Sequence, residues 1–311
     1  MNDEFYTQLS DIERELRHYT SHFKGKTVFC NCDDPRFSNF FHYFSHNFER
    51  LGLKRFITAC YKNIGCDLFN HHVFSKRAVW LDYQGDSDIE VGEFEGNGDF
   101  QNYESIEFLK QADIVVTNPP FSLFREYVAQ LVSYHKKFLI IGNMNASTYK
   151  EVFPLIRERR IWLGVSKPKW FVTPYEYWGR TGKTSGKKGR NGLSLSNVRW
   201  FTNLDHQKRN EDLVLYKKYT SEEYPHYDNY DAINVNKTVE IPMDYNGPMG
   251  VPITFLDKWN PDQFDILGVT ESEGAGLSNG IWFPESRVLQ PLIQGRKKYK
   301  RIFIRNRRLS Q

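Results

Sequence analysis

One short loop in the sequence has residue types suited to holding an amino group for reaction: Asn118, Pro119, Pro120 and Phe121. Asn118 offers a side-chain oxygen that can accept one amino hydrogen, and the Pro119 carbonyl can accept the other. Because proline has a fixed φ, the double proline sets the backbone geometry that aims this carbonyl. Two acceptors would localise the lone pair of an exocyclic amine such as adenine N6. The loop therefore predicts methylation of such an amine, with these four residues as the catalytic set.

The reaction expected at this loop needs no strong base and no covalent nucleophile. The methyl donor must be a sulfonium, so positioning and electrostatic preorganisation would provide most of the acceleration. Phe121 would give a flipped base an aromatic face on which to stack. The alternative is a turn that merely ends a strand, since Asn and Pro are common turn residues. The β-branched run before the loop and the helical pattern after it favour catalysis.

The elements that must position the loop alternate between short apolar runs and helical segments, which is typical of βαβ units. Ligands in such α/β folds bind at the carboxyl ends of strands, where the loop falls. We therefore predict a three-layer α/β sandwich. Its strands are expected at 27–32, 55–61, 114–117, 138–142 and 161–165. Its clearest helix should run from near Asp34-Pro35 to Gly52 with an aromatic stripe facing the core, and others are expected at 104–110, 122–134 and 148–159.

The 311-residue chain is long enough for one large domain or two unequal ones. We divide it into a catalytic, cofactor-binding core at 1–165, a basic target-recognition loop at 166–199, and a remainder at 200–311. The remainder would complete the core and add a C-terminal DNA-recognition region. In it, residues 296–308 alternate cationic and apolar side chains, which predicts a strand with one cationic face.

The net charge of +4 is too small to indicate a nucleic-acid partner, but the positive charge is clustered. The glycine-rich basic loop would contact DNA phosphates, and Asn191 with one of its arginines would read base edges in the major groove. A solvated surface loop is the alternative. The candidate DNA-binding residues are Lys169, Arg180, Lys183, Lys187, Lys188, Arg190 and Asn191.

The four cysteines, Cys30, Cys32, Cys60 and Cys66, lack the pattern of a zinc site, and we predict reduced, mostly buried thiols. The N-terminus lacks the features of a secretory signal, and no apolar run is long enough to cross a bilayer. These observations predict a cytoplasmic protein with no metal centre and no membrane partner.

Long runs of the sequence resemble the adenine-specific DNA methyltransferases of the EcoRI modification-enzyme type. Among them are residues 113–126, which contain the loop, and residues 227–237, which read Tyr-Asp-Asn-Tyr-Asp-Ala-Ile-Asn-Val-Asn-Lys. The resemblance implies a Rossmann-like fold with DNA-recognition insertions, S-adenosylmethionine as cofactor, and transfer of its methyl group to adenine N6 of a flipped base in double-stranded DNA. The family's type member modifies the inner adenine of GAATTC as a monomer. A GAATTC-like site, a monomer and a cognate restriction endonuclease as partner are the corresponding expectations.

The resemblance also assigns residues to the cofactor. The segment with Phe5, Tyr6 and Thr7 would lie near its methionine end, and Asp99 with Phe100 would meet its adenine. The alternatives are that Asp34 only caps a helix and that Asp99 is a turn residue. Cys60 ends the second strand, where the acidic residue that commonly binds a ribose is missing. The turn beneath the cofactor would contain Asn31, Asp33, Asp34 and Pro35, and the set is completed by Cys60 and Asn118.

Other classes of protein stay open at this point. N6-adenine RNA methyltransferases and enzymes that methylate a glutamine amide have similar loops, since the same acceptor pair suits either amine. A non-catalytic DNA-binding module with a methyltransferase fold is a further alternative, against which the intact Asn118, Pro119 and Phe121 argue. Segments 63–97, 166–199 and 270–300 diverge from the EcoRI enzyme, so the target sequence stays open.

Overall fold

A computed structural model describes residues 6–32, 38–60, 78–85, 89–172, 193–270, 277–278 and 280–309. The chain divides into two compact units. The first comprises Met1–Asn143 with Gly164–Leu204, and the second comprises Met144–Leu163 with Asp205–Gln311. The three-part division drawn from the sequence stays a prediction.

The first unit contains the predicted catalytic loop, and its helices and strands precede and follow that loop along the chain. Its described helices are α1 Leu9–Leu16, α2 Thr20–Phe23, α3 Asn39–His46, α4 Phe48–Leu51, α5 Tyr103–Gln111 and α6 Phe124–Ser133. Its described strands are β1 Tyr6–Thr7, β2 Thr27–Asn31, β3 Arg55–Ala59, β4 Val79–Tyr83, β5 Glu90–Glu93, β6 Ile114–Thr117, β7 Lys137–Asn143, β9 Trp170–Val172, β10 Leu193–Ser194 and β11 Val198–Thr202.

One large sheet dominates this unit, in the strand order β5-β4-β3-β2-β6-β7-β11. The central strands β3, β2, β6 and β7 run parallel, as their continuous apolar character predicts. Antiparallel strands extend the sheet at both edges. A mixed α/β fold with a large sheet is thus confirmed. A smaller antiparallel sheet, in the order β1-β9-β10, joins the N-terminal strand to the segment that precedes residue 173.

The aromatic stripe forms two helices where one was predicted. Ser38 caps α3, since its Oγ accepts from the backbone N–H groups of Phe40 (3.2 Å) and Phe41 (3.4 Å). Asn47 separates α3 from α4 and leaves the helical conformation, with a φ of −110° and a ψ of 13°. Its side chain donates to the Tyr43 carbonyl (2.7 Å), which also accepts from the Asn47 backbone N–H (3.1 Å). Gly52 ends α4 in the left-handed conformation, as predicted.

The second unit contains one short α-helix and two small sheets within its described residues. Helix α7 covers Phe153–Arg157 and strand β8 covers Trp162–Leu163, so both are shorter than predicted. The predicted helix begins late because residues Met144–Thr148 form a 3-10 turn, in which Ser147 Oγ donates to the Met144 carbonyl. The remaining strands are β12 Ile233–Asn234, β13 Met249–Pro252, β14 Phe264–Val269, β15 Leu292–Ile293, β16 Arg296–Lys297 and β17 Arg301–Asn306.

The prediction of a C-terminal strand with one cationic face was wrong. Strand β17 lies between β13 and β14 in the sheet β12-β13-β17-β14, and Ile302, Phe303 and Ile304 are all fully buried. Arg301 is also buried, because its guanidinium donates to the carbonyls of Tyr299 (3.1 Å) and Lys300 (3.3 Å). The alternating charges therefore belong to a central strand, in which Nη1 of the buried arginine donates to two backbone carbonyls.

Candidate active site

The predicted catalytic loop follows β6, a fully buried strand. Asp113 aligns the start of β6 with β2, because its carboxylate accepts from the Thr27 backbone N–H (2.8 Å). Asn118 is 8% exposed at the end of the strand, Pro119 is buried, and Pro120 and Phe121 are half-buried. The loop then enters a 3-10 turn, in which the Leu123 N–H donates to the Pro120 carbonyl (3.0 Å), and continues into α6. The strand, turn and helix order is as predicted.

The far end of the loop is fixed by close packing between α6 and β7. A Cβ placed on Gly142 would lie 2.6 Å from Cζ of the Phe124 ring, so only glycine allows this approach. Phe124 also packs edge-on against Phe201, with ring centroids 5.0 Å apart. Both ends of the catalytic loop are therefore anchored to the central sheet.

Asn31 is tied to the strand that carries the loop. Thr117 Oγ1, one residue before Asn118, donates to the Asn31 carbonyl (2.7 Å). The Tyr127 hydroxyl, from α6, donates to Asn31 Oδ1. Burial raises the pKa of the Tyr127 hydroxyl well above its usual range, and the nearby Cys32 and Cys30 add to this, so the phenol stays a protonated donor. Asn31 is thereby held rigidly at the carboxyl end of β2.

Phe100 lies against the same tyrosine. The two rings meet edge-on, with centroids 5.0 Å apart, and the Phe100 carbonyl accepts from Gln130 Nε2 (3.0 Å). Gly98 packs onto the end of β3, because a Cβ there would overlap the Cys60 carbonyl and lie 2.6 Å from Ala78 Cβ. The structure thus brings Phe100 and Cys60 to the strand ends where Asn31 and Asn118 lie.

Asp99 is half-buried and takes part in a turn. Its Oδ1 accepts from the Gln101 N–H (2.8 Å), and its own N–H donates to Asn97 Oδ1 (3.0 Å). The turn role considered as an alternative from the sequence is therefore present.

The N-terminal strand brings Tyr6 and Thr7 beside the start of α3. The Thr7 carbonyl accepts from the side-chain amide of Asn39, the first residue of that helix (2.7 Å). Thr7 is 2% exposed, and its Oγ1 has no hydrogen-bond partner among the described residues. A buried hydroxyl without a hydrogen-bond partner is uncommon, and a polar group of a bound ligand would provide the missing partner. Phe5, Asp33, Asp34 and Pro35 lie outside the described residues.

Two features of this region were not foreseen from the sequence. Cys32, directly after β2, has a φ of 120°, which is unusual for a residue other than glycine and is often found at functional sites. The second feature is the role of Tyr127. In the sequence it is one member of the apolar face of α6, together with Phe124, Val128 and Leu131, and nothing else distinguishes it.

Buried carboxylates of α1 hold the segment that leads to the predicted recognition loop. Glu15 is fully buried and accepts from the Val165 N–H (2.7 Å), the Ser166 N–H (2.6 Å) and the Tyr19 hydroxyl (2.9 Å). Asp11 accepts from the backbone N–H of Lys169 (2.7 Å), whose side chain is exposed. The other candidate DNA-binding residues, Arg180, Lys183, Lys187, Lys188, Arg190 and Asn191, lie outside the described residues.

Within the parts of the chain that the structure describes, no group of three or more His, Cys, Asp or Glu residues could hold a metal ion. In the same parts, no helix is both long and apolar enough to span a membrane.

A buried parallel strand that ends in an Asn-Pro-Pro-Phe loop, inside a large mixed α/β sheet, is the arrangement expected of an amine-directed methyltransferase. The family described as "Adenine-specific methyltransferase EcoRI" matches residues 1–307. The chain belongs to this family, as the resemblance predicted.

Three curated relatives match over nearly their whole length. Type II methyltransferase M.EcoRI of Escherichia coli is 49% identical, over 100% of this chain and 95% of the relative. Type II methyltransferase M.MgeORF184P of Mycoplasma genitalium is 36% identical, over 99% and 96%. Type II methyltransferase M.MpnI of Mycoplasma pneumoniae is 35% identical, over 98% and 95%. No solved structure matches the chain significantly.

Proposed function

We propose that this protein transfers a methyl group from S-adenosylmethionine to adenine N6 at a defined site in double-stranded DNA. The observation that carries the proposal is the delivery of Asn118 and Pro119 by a buried strand to the end of the sheet, beside Asn31. Membership of an adenine-specific methyltransferase family supports the choice of base. The finer fold that we propose is the Rossmann-like three-layer methyltransferase sandwich, built on the four parallel strands with DNA-recognition insertions.

The residues at the strand ends suit S-adenosylmethionine, which when bound supplies an electrophilic methyl group on a sulfonium. Thr7 Oγ1 is a buried hydroxyl that a polar cofactor group would satisfy. The Phe100 ring would pack on the purine, and the Asp99 carboxylate would accept from its amine. Asn31 and Cys60 would line the space between, with Tyr6 beside Thr7. The roles of Phe5, Asp33, Asp34 and Pro35 rest on the family resemblance.

The catalytic loop would act on the target amine. Asn118 Oδ1 and the Pro119 carbonyl accept the two N6 hydrogens, which directs the nitrogen lone pair toward the methyl carbon. S-adenosylmethionine would supply the methyl group, and Asn118 and Pro119 would hold N6 while it takes up that group and releases one proton to water. Pro120 holds the turn through its hydrogen bond with Leu123. Phe121, packed against the core on one side, stacks on the flipped base.

The expected partners follow from this chemistry. Lys169 and the basic residues of the 173–192 segment would contact the DNA backbone, while a GAATTC-like sequence is the first site to test. The proposal further comprises action as a monomer in the cytoplasm and a restriction endonuclease that cleaves the same sequence.

The experiment is methyl transfer from labelled S-adenosylmethionine to a panel of unmethylated duplex DNA, RNA and protein. Modified DNA positions are mapped by sequencing that detects N6-methyladenine. We expect label in DNA alone, at one defined motif. Label in RNA or in glutamine side chains would refute the proposed substrate, and cofactor binding without transfer to any substrate would favour the non-catalytic alternative.

A further inference from the structure

The second unit contains an open groove of about 480 Å³ that is separate from the candidate active site in sequence and chemistry. Its described lining includes three exposed cations, Arg287, Lys297 and Lys300, and no acidic residue among those the structure describes. Positive charge around a groove attracts anionic ligands. The remaining described lining residues are Thr270, Val288, Leu289, Gln290 and Pro291.

One wall of the groove is held by a fully buried asparagine. Asn229 Nδ2 donates to the carbonyls of Val288 (2.7 Å) and Gln290 (2.8 Å), and its Oδ1 accepts from the Leu292 N–H (2.8 Å). The neighbouring Tyr230 hydroxyl donates to the Leu289 carbonyl. Two consecutive side chains therefore fix the backbone of this wall, so that it needs little ordering when a ligand binds.

The hairpin formed by β15 and β16 contributes Lys297 to the described lining of the groove. Its two turn residues, Gln294 and Gly295, both have positive φ, the geometry of a tight two-residue hairpin turn. The Asp228 carboxylate accepts from both of their N–H groups, at 3.0 and 2.7 Å. Lys297, on β16, is consequently presented from a fixed backbone.

Of the other two cations, Arg287 has a defined backbone position and Lys300 makes a side-chain hydrogen bond. Arg287 has a φ of 53°, a conformation that residues other than glycine rarely adopt, and it follows directly after a 3-10 turn. Lys300 Nζ lies 3.2 Å from Thr148 Oγ1. Beside Lys300, the Tyr299 side chain is 89% exposed.

Asp228, Asn229 and Tyr230 make the hydrogen bonds that hold the backbone around the groove. They belong to the 227–237 run, and no residue of this run has a role in the proposed active site. We propose that they preorganise a second DNA-binding surface, in which Arg287, Lys297 and Lys300 contact phosphates of the duplex backbone. The inference rests on the proposed function, because it takes duplex DNA as the substrate. Backbone contacts of this kind orient the protein on the duplex without reading its sequence.

The test compares two triple variants with equal loss of charge. The first is Arg287→Gln/Lys297→Gln/Lys300→Gln, and the control removes three exposed lysines elsewhere in the unit, as Lys218→Gln/Lys237→Gln/Lys258→Gln. Binding to a short duplex is measured across a salt series, with thermal unfolding and cofactor binding as folding checks. Losing a phosphate contact lowers the slope of log K against log salt by about 1, so the groove variant should lose roughly 2 to 3.

We expect the groove variant to bind duplex at least about tenfold more weakly at moderate salt, since several phosphate contacts are lost together, and the control variant to keep the wild-type slope. Equal slopes in the two variants would overturn the proposal. Inorganic phosphate, tested at constant ionic strength, is the second probe: competition that the groove variant loses while its duplex binding is unchanged would mean a small-anion site instead. Wild-type protein that binds duplex but transfers no methyl group would refute the proposed function and leave the groove to be judged on binding.

Discussion

The buried hydroxyl of Tyr127 donates a hydrogen bond to Asn31 Oδ1, and this contact joins helix α6 to the carboxyl end of β2. The contact links the residues proposed for the cofactor to the strand that carries the catalytic loop. Phe100 packs on the tyrosine ring, and Thr117, one residue before the catalytic loop, bonds to the Asn31 carbonyl. A single side chain thus helps to position residues proposed for the cofactor and for the target base.

Replacement of this tyrosine tests the arrangement. Tyr127→Phe leaves Asn31 Oδ1 buried without its donor, which should lower the free energy of unfolding by about 1–3 kcal/mol. We also expect a higher KM for S-adenosylmethionine, because the Asn31 amide is no longer held. Denaturant unfolding and initial-rate kinetics measure the two effects. Tyr134→Phe, near the end of the same helix, is the control, and an identical effect of both substitutions would count against the positioning role.

Replacement of Thr7 should change the affinity for the cofactor without lowering the stability of the fold. Thr7→Val removes a buried polar atom that has no partner among the described residues, so stability should stay the same or rise. Cofactor affinity should fall by roughly tenfold, because a hydrogen bond to the ligand is lost. Calorimetric titration with S-adenosylmethionine gives the affinity. Thr58→Val, which removes a similarly buried hydroxyl inside β3, should leave cofactor binding intact, and an unchanged affinity in Thr7→Val would exclude the contact.

Close packing at Gly142 predicts a defect in the catalytic loop. Gly142→Ala forces Phe124 and the first turn of α6 away from β7, at a cost of typically 1–3 kcal/mol in stability. Because the loop enters α6 directly, kcat should fall more than the KM for either substrate rises. The compensating double variant Gly142→Ala/Phe124→Leu, with its smaller side chain, should recover part of the loss. A kcat equal to wild type in the single variant would show that the loop does not depend on this contact.

The buried carboxylate of Glu15 is expected to matter for DNA more than for the cofactor. Glu15→Gln replaces an acceptor of three hydrogen bonds by an amide that can match only some of them, which loosens the Val165–Ser166 backbone. Duplex affinity should drop while cofactor affinity changes little. Glu13→Gln, at an exposed position of the same helix, controls for the lost charge. An equal drop in both variants would make the effect one of net charge alone.

The large sheet and its parallel centre were predictable because buried parallel strands such as β2 and β6 read as short continuous apolar runs. The break between α3 and α4 was harder to foresee, since the hydrophobic spacing continues through Asn47 and the helix is interrupted only by the backbone conformation of that residue. The burial of Arg301 was also hard to foresee, and the predicted cationic face of its strand was therefore wrong. A cation in a strand is usually exposed, but here Arg301 is buried inside a sheet, with Nη1 bonded to two backbone carbonyls.

In the candidate site as well, some residues could be proposed from the sequence and others could not. Asn118 to Phe121 could be proposed from local chemistry, and the strand, turn and helix that carry them lie in the predicted order. Tyr127 and Glu15 could not, since each acts on a backbone or side chain distant in sequence. Nothing in their immediate neighbours distinguishes them from ordinary core or surface positions. Such contacts become visible only when the tertiary packing is known.

The most direct test of the central claim is single-turnover methyl transfer to unmethylated duplex by Asn118→Ala, with Asn197→Ala in an exposed turn as its matched control. Loss of one preorganised polar contact in the transition state should reduce the rate by at least about a hundredfold, while duplex and cofactor affinities stay close to wild type. The control should react at the wild-type rate. Wild-type turnover in Asn118→Ala would contradict the assignment of this loop as the catalytic centre.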